Sequence, residues 1–284
     1  MSDFSQPSPV YSDPPVVEVA LSVQFEAIKG LRTPQVGLLW NEFRSQFPRV
    51  EEHPPLDAVI ERFGEKPKPS KPSIRFQMLP TPPIPRCWFL NKDGTQLIQV
   101  QSDRFIHNWR KRGADQEYPR YQNLRNAFAV ELGKLEQFLQ REELGDLCPN
   151  QCEVTYVNHI LAGKGWKEFS ELGEVLTVFQ AQYSDGFLPA PEDARTALRF
   201  MIPNEQGEPR GRLHISVEPA YRTSDGTPML VMNVTARCHP TGDGVGGALG
   251  SLDIGHEWVV RGFTSITTPA MHGIWGRQNG NRND

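Results

Sequence analysis

Four cysteines in 284 residues are too few and too scattered for a disulfide framework. They also make a poor metal site. Cys148 and Cys152 have three residues between them and Cys238 is followed by His239, a spacing that matches none of the usual zinc knuckles. Cys87 and Cys238 fall in strand-like runs, where cysteine acts as a small apolar residue. No metal is expected, and no cofactor. Apolar runs are only a few residues long, far short of the roughly 20 that cross a bilayer, so no membrane partner is expected. Residues 1–15 bring Asp3, Ser, Pro and Gln where a signal peptide needs a basic start and an apolar core. They predict a short flexible leader on a cytoplasmic protein. An excess of charge is missing too. Thirty basic against 34 acidic residues give a net charge of −4, which sets up no global field for nucleic acid or anionic lipid.

Catalytic motifs are equally scarce. Gly242-Asp-Gly244-Val-Gly-Gly247 matches GxGxxG, but no strand carrying an acidic residue follows the next helix, and no Lys-Ser/Thr pair makes it a P-loop. His256-Glu257 lacks a second histidine at position 260, which is Val, so it is not a zincin helix. His256 sits on an apolar helical stripe and reads as a core histidine. No GxSxG elbow occurs.

What is present is a regular alternation of strands and helices. Val16–Phe25 places Val17, Val19, Leu21, Val23 and Phe25 on one face, a half-buried strand. Pro34 opens a helix bearing Leu39, Trp40, Phe43 and Phe47, and Pro48 ends it. Residues 65–72 are a polar Pro-rich linker, 74–79 a short strand and 80–85 a stiff Pro-rich segment. Residues 86–90 and 96–101 flank Asn91-Lys-Asp-Gly94 as a hairpin, and a further turn leads into 105–110. A long helix over 119–143 carries Tyr121, Leu124, Phe128, Leu132, Leu135 and Leu139 at helical spacing.

The second part repeats the order: strand 154–161, a short helical or turning segment 166–172, strand 175–182, and a meander of 197–202, 212–218 and 229–238. A helix bearing Leu252, His256, Val259, Phe263 and Ile266 closes it. The expectation is an α+β protein with an antiparallel sheet made of two pseudo-repeated halves, residues 16–148 and 149–272, and a flexible tail, 273–284. Each half runs strand, helix, strand, meander, helix, with the long helices on one face of the sheet and the other face free to bind.

One segment, residues 99–112, concentrates polar chemistry. With Ile98 and Val100 on one face of their strand, Gln99 and Gln101 share the other, leading to Asp103, Arg104, Asn108 and Arg110. Tyr118 and Arg120 follow as the long helix begins. This density of amide and guanidinium groups suits hydrogen-bonded recognition. It equally suits a buried network in which Asp103 pairs with Arg104 or Arg110 and Trp109 plugs the core. Alternation along 104–110 sets Phe105, His107 and Trp109 against Ile106, Asn108 and Arg110. The expectation is Trp109 buried, with Asn108 and Arg110 exposed.

The run IQVQSDRFIHNWR, followed by YPRY and a long amphipathic helix, resembles an uncharacterised family of bacterial proteins of similar length and sporadic distribution. DPPVVEVALSVQF and FTSIT extend the likeness over nearly the whole chain. The resemblance implies bacterial origin and no particular activity. A patchy distribution suits an accessory protein of a defence or toxin-linked system. With no nucleophile–base pair in view, binding of a partner protein or small ligand is favoured over catalysis. Two alternatives stand beside it. One is a hydrolase or transferase using Asp103 or His107 as acid/base and Arg104 or Arg110 as anion clamp. The other is single-stranded nucleic-acid binding by Arg104, Arg110, Lys111, Arg112, Arg120 and Arg125 interleaved with aromatics, against which the acidic balance counts.

Overall fold

The computed structural model describes residues 8–64, 84–180 and 185–278. Its centre is a nine-stranded sheet in which every neighbouring pair is antiparallel. The chain opens with a short strand β1 (Val10–Tyr11), then β2 (Val16–Phe25) and α1 (Thr33–Phe43). The meander β3 (Arg49–His53), β4 (Arg86–Leu90), β5 (Gln96–Gln101) and β6 (Arg104–Arg110) leads to the long helix α2 (Tyr121–Arg141). Next come β7 (Pro149–Leu161) and a single turn of helix, α3 (Leu172–Val175). A second meander, β8 (Thr196–Pro203), β9 (Pro209–Tyr221) and β10 (Pro228–Cys238), precedes α4 (Gly244–Ile266), α5 (Pro269–Ile274) and β11 (Arg277–Gln278). Across the sheet the order is β3-β4-β5-β6-β2-β7-β10-β9-β8, so the β2–β7 pair is an internal seam joining the two meanders.

Local sequence accounts for most of these elements. Pro34 stands in the first turn of α1, whose Val36, Leu39 and Phe43 are buried, and the Trp40 indole donates to the Phe47 carbonyl beyond its end. The β4–β5 hairpin turns at Gly94, where φ is +72° and a side chain would be strained; Asp93 ties the turn by accepting from the Thr95 amide at 2.9 Å. The apolar stripe read along α2 is buried throughout. One face of the sheet carries Val19, Leu21, Val23 and Val154, all 1% exposed or less. Cross-strand register adds Phe105 and His107 to it, and on this side Glu131 of α2 meets His107 and Gly255 of α4 lies over Val154 and Ala236.

Several expectations are corrected. Residues 175–182 are not a strand: Val175 and Leu176 are consecutive and both fully buried, which a strand with one covered face cannot do. The chain there makes α3 and a 3-10 turn, Thr177–Phe179, with one isolated bridge from Leu176 to Thr267; residues 181 and 182 lie outside the described residues. The linker at 65–72, the strand at 74–79 and residues 80–83 of the stiff segment also lie outside them. Strand β3 went unread because three of its five residues are charged, as an edge strand permits. In the expected leader and tail, β1 pairs with β11, and Tyr11 and Trp275 are buried. At the GxGxxG run, α4 begins at Gly244, and a Cβ at Gly247 would stand 1.9 Å from the Gly242 carbonyl oxygen. That glycine serves the close folding of a loop onto its own helix.

Candidate binding face

The sheet face opposite Val19, Leu21, Val23 and Val154 carries many polar side chains. Alternation puts Glu18, Ala20, Ser22 and Gln24 of β2 on it, with Leu97, Gln99 and Gln101 of β5 and Arg104, Ile106, Asn108 and Arg110 of β6. A chain of hydrogen bonds crosses four strands here. Arg86 donates to the Gln99 carbonyl at 2.9 Å, the Gln99 amide to Asn108 at 2.7 Å, and the Asn108 amide to Glu18 at 2.7 Å. Asn108 is therefore buried at 5% exposure, against the expectation that it would be exposed, because Gln99 and Glu18 close over it from both sides. Arg110 is half-buried, and Trp109 is buried on the helix side as expected, packed on Tyr118. Asp103 does not pair with Arg104 or Arg110 among the described residues. Its carboxylate accepts from Gln101 at 2.5 Å.

At one end of this face a cavity of about 370 Å³ is lined by Arg49, Glu51, Trp88, Asp93, Arg110 and Arg112. The Trp88 ring is its floor. His53 stacks on it at 3.9 Å, and the guanidinium carbons of Arg86 and Arg110 each stand 5.5 Å from its centroid. Burial, then the neighbouring Arg112, hold the Arg110 pKa below the ordinary arginine value. Trp88 Nε1 and Arg110 Nε are buried without an acceptor among the described residues, which leaves the site donors for a ligand.

At the other end the face is occupied by the chain itself. Residues 54–63 run across the strands as an extended strap. The Leu56 amide donates to the Gln101 side-chain carbonyl and the Gln101 amide donates back to the Leu56 carbonyl, both at 3.0 Å. Arg104 donates to the Asp57 carbonyl at 2.9 Å. The Val59 amide donates to Gln24 at 2.9 Å and the Glu61 amide to Gln151 at 2.8 Å. The register of β5, β6, β2 and β7 sets Gln101, Arg104, Gln24 and Gln151 in one row across the sheet. The spacing follows from geometry: three extended residues cover about 10 Å, the same as two strand-to-strand steps of about 4.8 Å, so Leu56 over β5 puts Val59 over β2.

Glu61 is the strap side chain most deeply seated in the sheet, and Phe63 beside it is half-buried against His239 and Arg212. Glu61 is 7% exposed, its carboxylate accepts from Arg212 and, at 2.5 Å, from His214, and Arg237 stands 3.8 Å away. Burial pushes its carboxyl up, but His214 and Arg212 outweigh that and hold it below the usual carboxylate range.

Of the residues the sequence singles out, Gln99, Gln101, Asp103, Arg104, Asn108 and Arg110 share this face. Tyr118 and Arg120 do not. They line a cavity of about 860 Å³ on the helix side, with Tyr121, Tyr156, Asn158 and His256. There the Tyr118 and Tyr156 hydroxyls bond each other at 2.5 Å, Tyr156 bonds His256 Nδ1 at 3.1 Å, and the Tyr121 ring stacks on His256 at 3.8 Å. His107, buried on that side against Glu131, is cut off by the sheet from Arg104 and Arg110. His107 therefore does not share a site with Arg104 or Arg110, whereas Asp103 lies on their face. Phe105 and Trp109 are buried on the side of the sheet away from Arg104 and Arg110, so these two aromatics do not share a surface with those arginines. Sequence reasoning missed Gln24, Gln151, Trp88 and Arg212. The alternation Glu18, Ala20, Ser22, Gln24 was a readable signal for the first. The others needed the strand order.

The helix-side histidine gives a pH test. Burial holds the His256 imidazole down to about 4, partly countered by Asp253. With an unfolded value of about 6.5, it takes up its proton in the window between only after unfolding. Stability is then full above about pH 6.5 and falls as pH drops toward 4, by as much as ~3 kcal/mol from this group. His256→Gln should flatten that part of the pH dependence of the melting temperature between pH 7 and 4.5. Parallel losses in variant and wild type would assign the acid sensitivity to other groups.

Compared with protein-family models, curated proteins and solved structures, the chain matches none.

Proposed function

We propose that this is a binding protein that holds an extended segment of a partner protein on the open face of its sheet. The observation that carries the reading is the grip of Gln101 on Leu56, a two-point hydrogen bond from one side-chain amide to the amide and carbonyl of one residue. Such a contact reads main chain in the way a neighbouring strand does, without regard to side-chain identity. Beyond the strap, the Arg86–Gln99–Asn108–Glu18 chain and the Trp88–arginine cavity continue the polar face. Tryptophan and arginine anchors in a pocket are the residue types that dominate binding energy at protein interfaces.

In this reading the two halves are a structural duplication, each a strand, a helical segment, a meander and a long helix. Both long helices lie on one face, leaving the other for the partner. The resemblance to a sporadically distributed bacterial family suits an accessory role of this kind.

Arg110→Ala and Trp88→Ala test it. Arg110→Ala loses a cation–π contact worth about 0.5–1 kcal/mol and a long 3.3 Å hydrogen bond to the Gly94 carbonyl, so the variant should stay folded with only a small fall in melting temperature. Crosslinked pull-downs of tagged protein from its own cells should recover a partner with wild type and lose it with either variant. Folded variants that retain every partner would remove this face from the binding surface.

A further inference from the structure

We infer that residues 54–63 are a built-in stand-in for the partner, and that the open face takes an extended acidic segment whose carboxylate occupies the seat of Glu61. This rests on the reading of the face as a polypeptide-binding surface, and names the ligand class and the competition at it.

Three observations carry the inference. Every contact from Gln101, Arg104, Gln24 and Gln151 to the strap goes to its main chain, so any extended polypeptide can supply the same groups. Most of the strap's apolar side chains do not cover a core: Leu56, Val59 and Ile60 are 37%, 39% and 45% exposed, and only Phe63 is half-buried, against His239 and Arg212. Its most deeply seated side chain is a carboxylate among Arg212, His214 and Arg237. A strap held by exchangeable polar contacts, with little apolar burial, is one that a competitor can replace.

The strap also fits its own track incompletely. Gln151 is 3% exposed, yet its side-chain Nε2 is buried with no acceptor among the described residues, and the same holds for Arg104 Nε. An amide donor left idle in the row that holds a polypeptide is a vacancy a better-fitting carbonyl would fill. The register of the contacts sets the ligand pattern: an acidic residue five positions after the one gripped by Gln101, as Glu61 follows Leu56. A carboxylate between two guanidinium groups and an imidazole forms charge-assisted hydrogen bonds, so that position carries most of the selectivity.

The probe is the chain's own segment supplied in trans, a fluorescent peptide of residues 53–64, with fluorescence anisotropy as the readout. In the full-length protein, Val59→Pro removes the amide that Gln24 accepts from, and Glu61→Ala empties the carboxylate seat. The double variant should bind the peptide at least about tenfold tighter than wild type. Adding Arg212→Ala, or replacing the glutamate of the peptide by alanine, should abolish that gain. A folded double variant that binds no better than wild type overturns the inference and makes the strap a fixed part of the fold. Should the double variant not fold, Glu61→Gln takes its place under the same criterion. A second readout uses unmodified protein: excess peptide should speed hydrogen exchange at the Leu56, Val59 and Glu61 amides, and unchanged exchange counts against displacement. Neither readout involves Arg110 or Trp88. Failure here, with partner capture still lost in Arg110→Ala, would refute the stand-in and leave the binding reading in place.

Discussion

Expressed separately, residues 1–148 and 149–284 should give insoluble or molten products with no cooperative melting transition. The cut falls at the seam of the sheet. β2 and β7 pair from Val16 opposite Asn158 to Phe25 opposite Pro149, and Val19, Leu21, Val23 and Val154 on the covered face are almost wholly buried. Splitting the chain turns both central strands into long apolar edges, which favour aggregation over folding. It also parts the helix contacts above the seam, where Tyr121 donates to Asp253 at 2.8 Å, Arg125 pairs with Asp253 at 3.0 Å, and the Tyr118 and Tyr156 hydroxyls meet. Co-expression should restore a soluble complex. The measurement is near-ultraviolet circular dichroism with thermal melting of each fragment. Two soluble fragments that each melt sharply would mean that each half closes its own core, and would sink the idea of one cooperative unit.

Glu131→Ala should be the most damaging single substitution away from the strap. Glu131 projects from α2 into the covered face, where it is 6% exposed, and its carboxylate lies 2.7 Å from His107 Nδ1, itself 1% exposed. Nε2 of the same ring is buried and has no acceptor among the described residues, so removing Glu131 takes away the hydrogen bond that the ring makes there. Breaking a buried pair from one side costs ~3–5 kcal/mol, a large share of the ~5–15 kcal/mol that stabilises a typical domain. A fall in melting temperature on the order of 10 °C is expected for a chain of this size. The double variant Glu131→Leu with His107→Leu separates the causes. Replacing both polar partners by apolar groups removes the unsatisfied ring and should recover much of the loss. If Glu131→Ala melts within a degree or two of wild type, water reaches this pair and it is no structural anchor.

The secondary structure was legible where burial follows a simple period. Strands β7 and β9 alternate in burial, α2 repeats at three and four residues, and Asn91 to Gly94 has the residues its turn demands. Residues 175–182 misled because an apolar run without clear alternation does not say whether one face or both are covered. There α5 and the end of α4 close over the chain: the Thr268 amide donates to the Val175 carbonyl at 3.0 Å, and Leu176 bridges to Thr267. Val175 ends a helical turn and Leu176, in extended backbone, joins it to the 3-10 turn, and both are buried.

The polar face was half legible. Alternation alone put Gln99 with Gln101, and Arg104 with Asn108 and Arg110, because a pleated strand leaves successive side chains no other arrangement. The same rule put His107 with Trp109 on the opposite side. What crosses a sheet is a different matter. Gln101 meets Leu56 across 45 positions of sequence, Gln151 meets Glu61 across 90, and Arg212 reaches Glu61 across 151. No local period encodes such meetings. They follow from the order in which nine strands pair, which is set by the energy of the whole sheet. The sequence by itself determined which side chains share a face of each strand, through geometry that repeats every two residues. Only the tertiary structure decided that residues 54–63 would lie across the row of Gln101, Arg104, Gln24 and Gln151, because that row exists only once β5, β6, β2 and β7 have become neighbours.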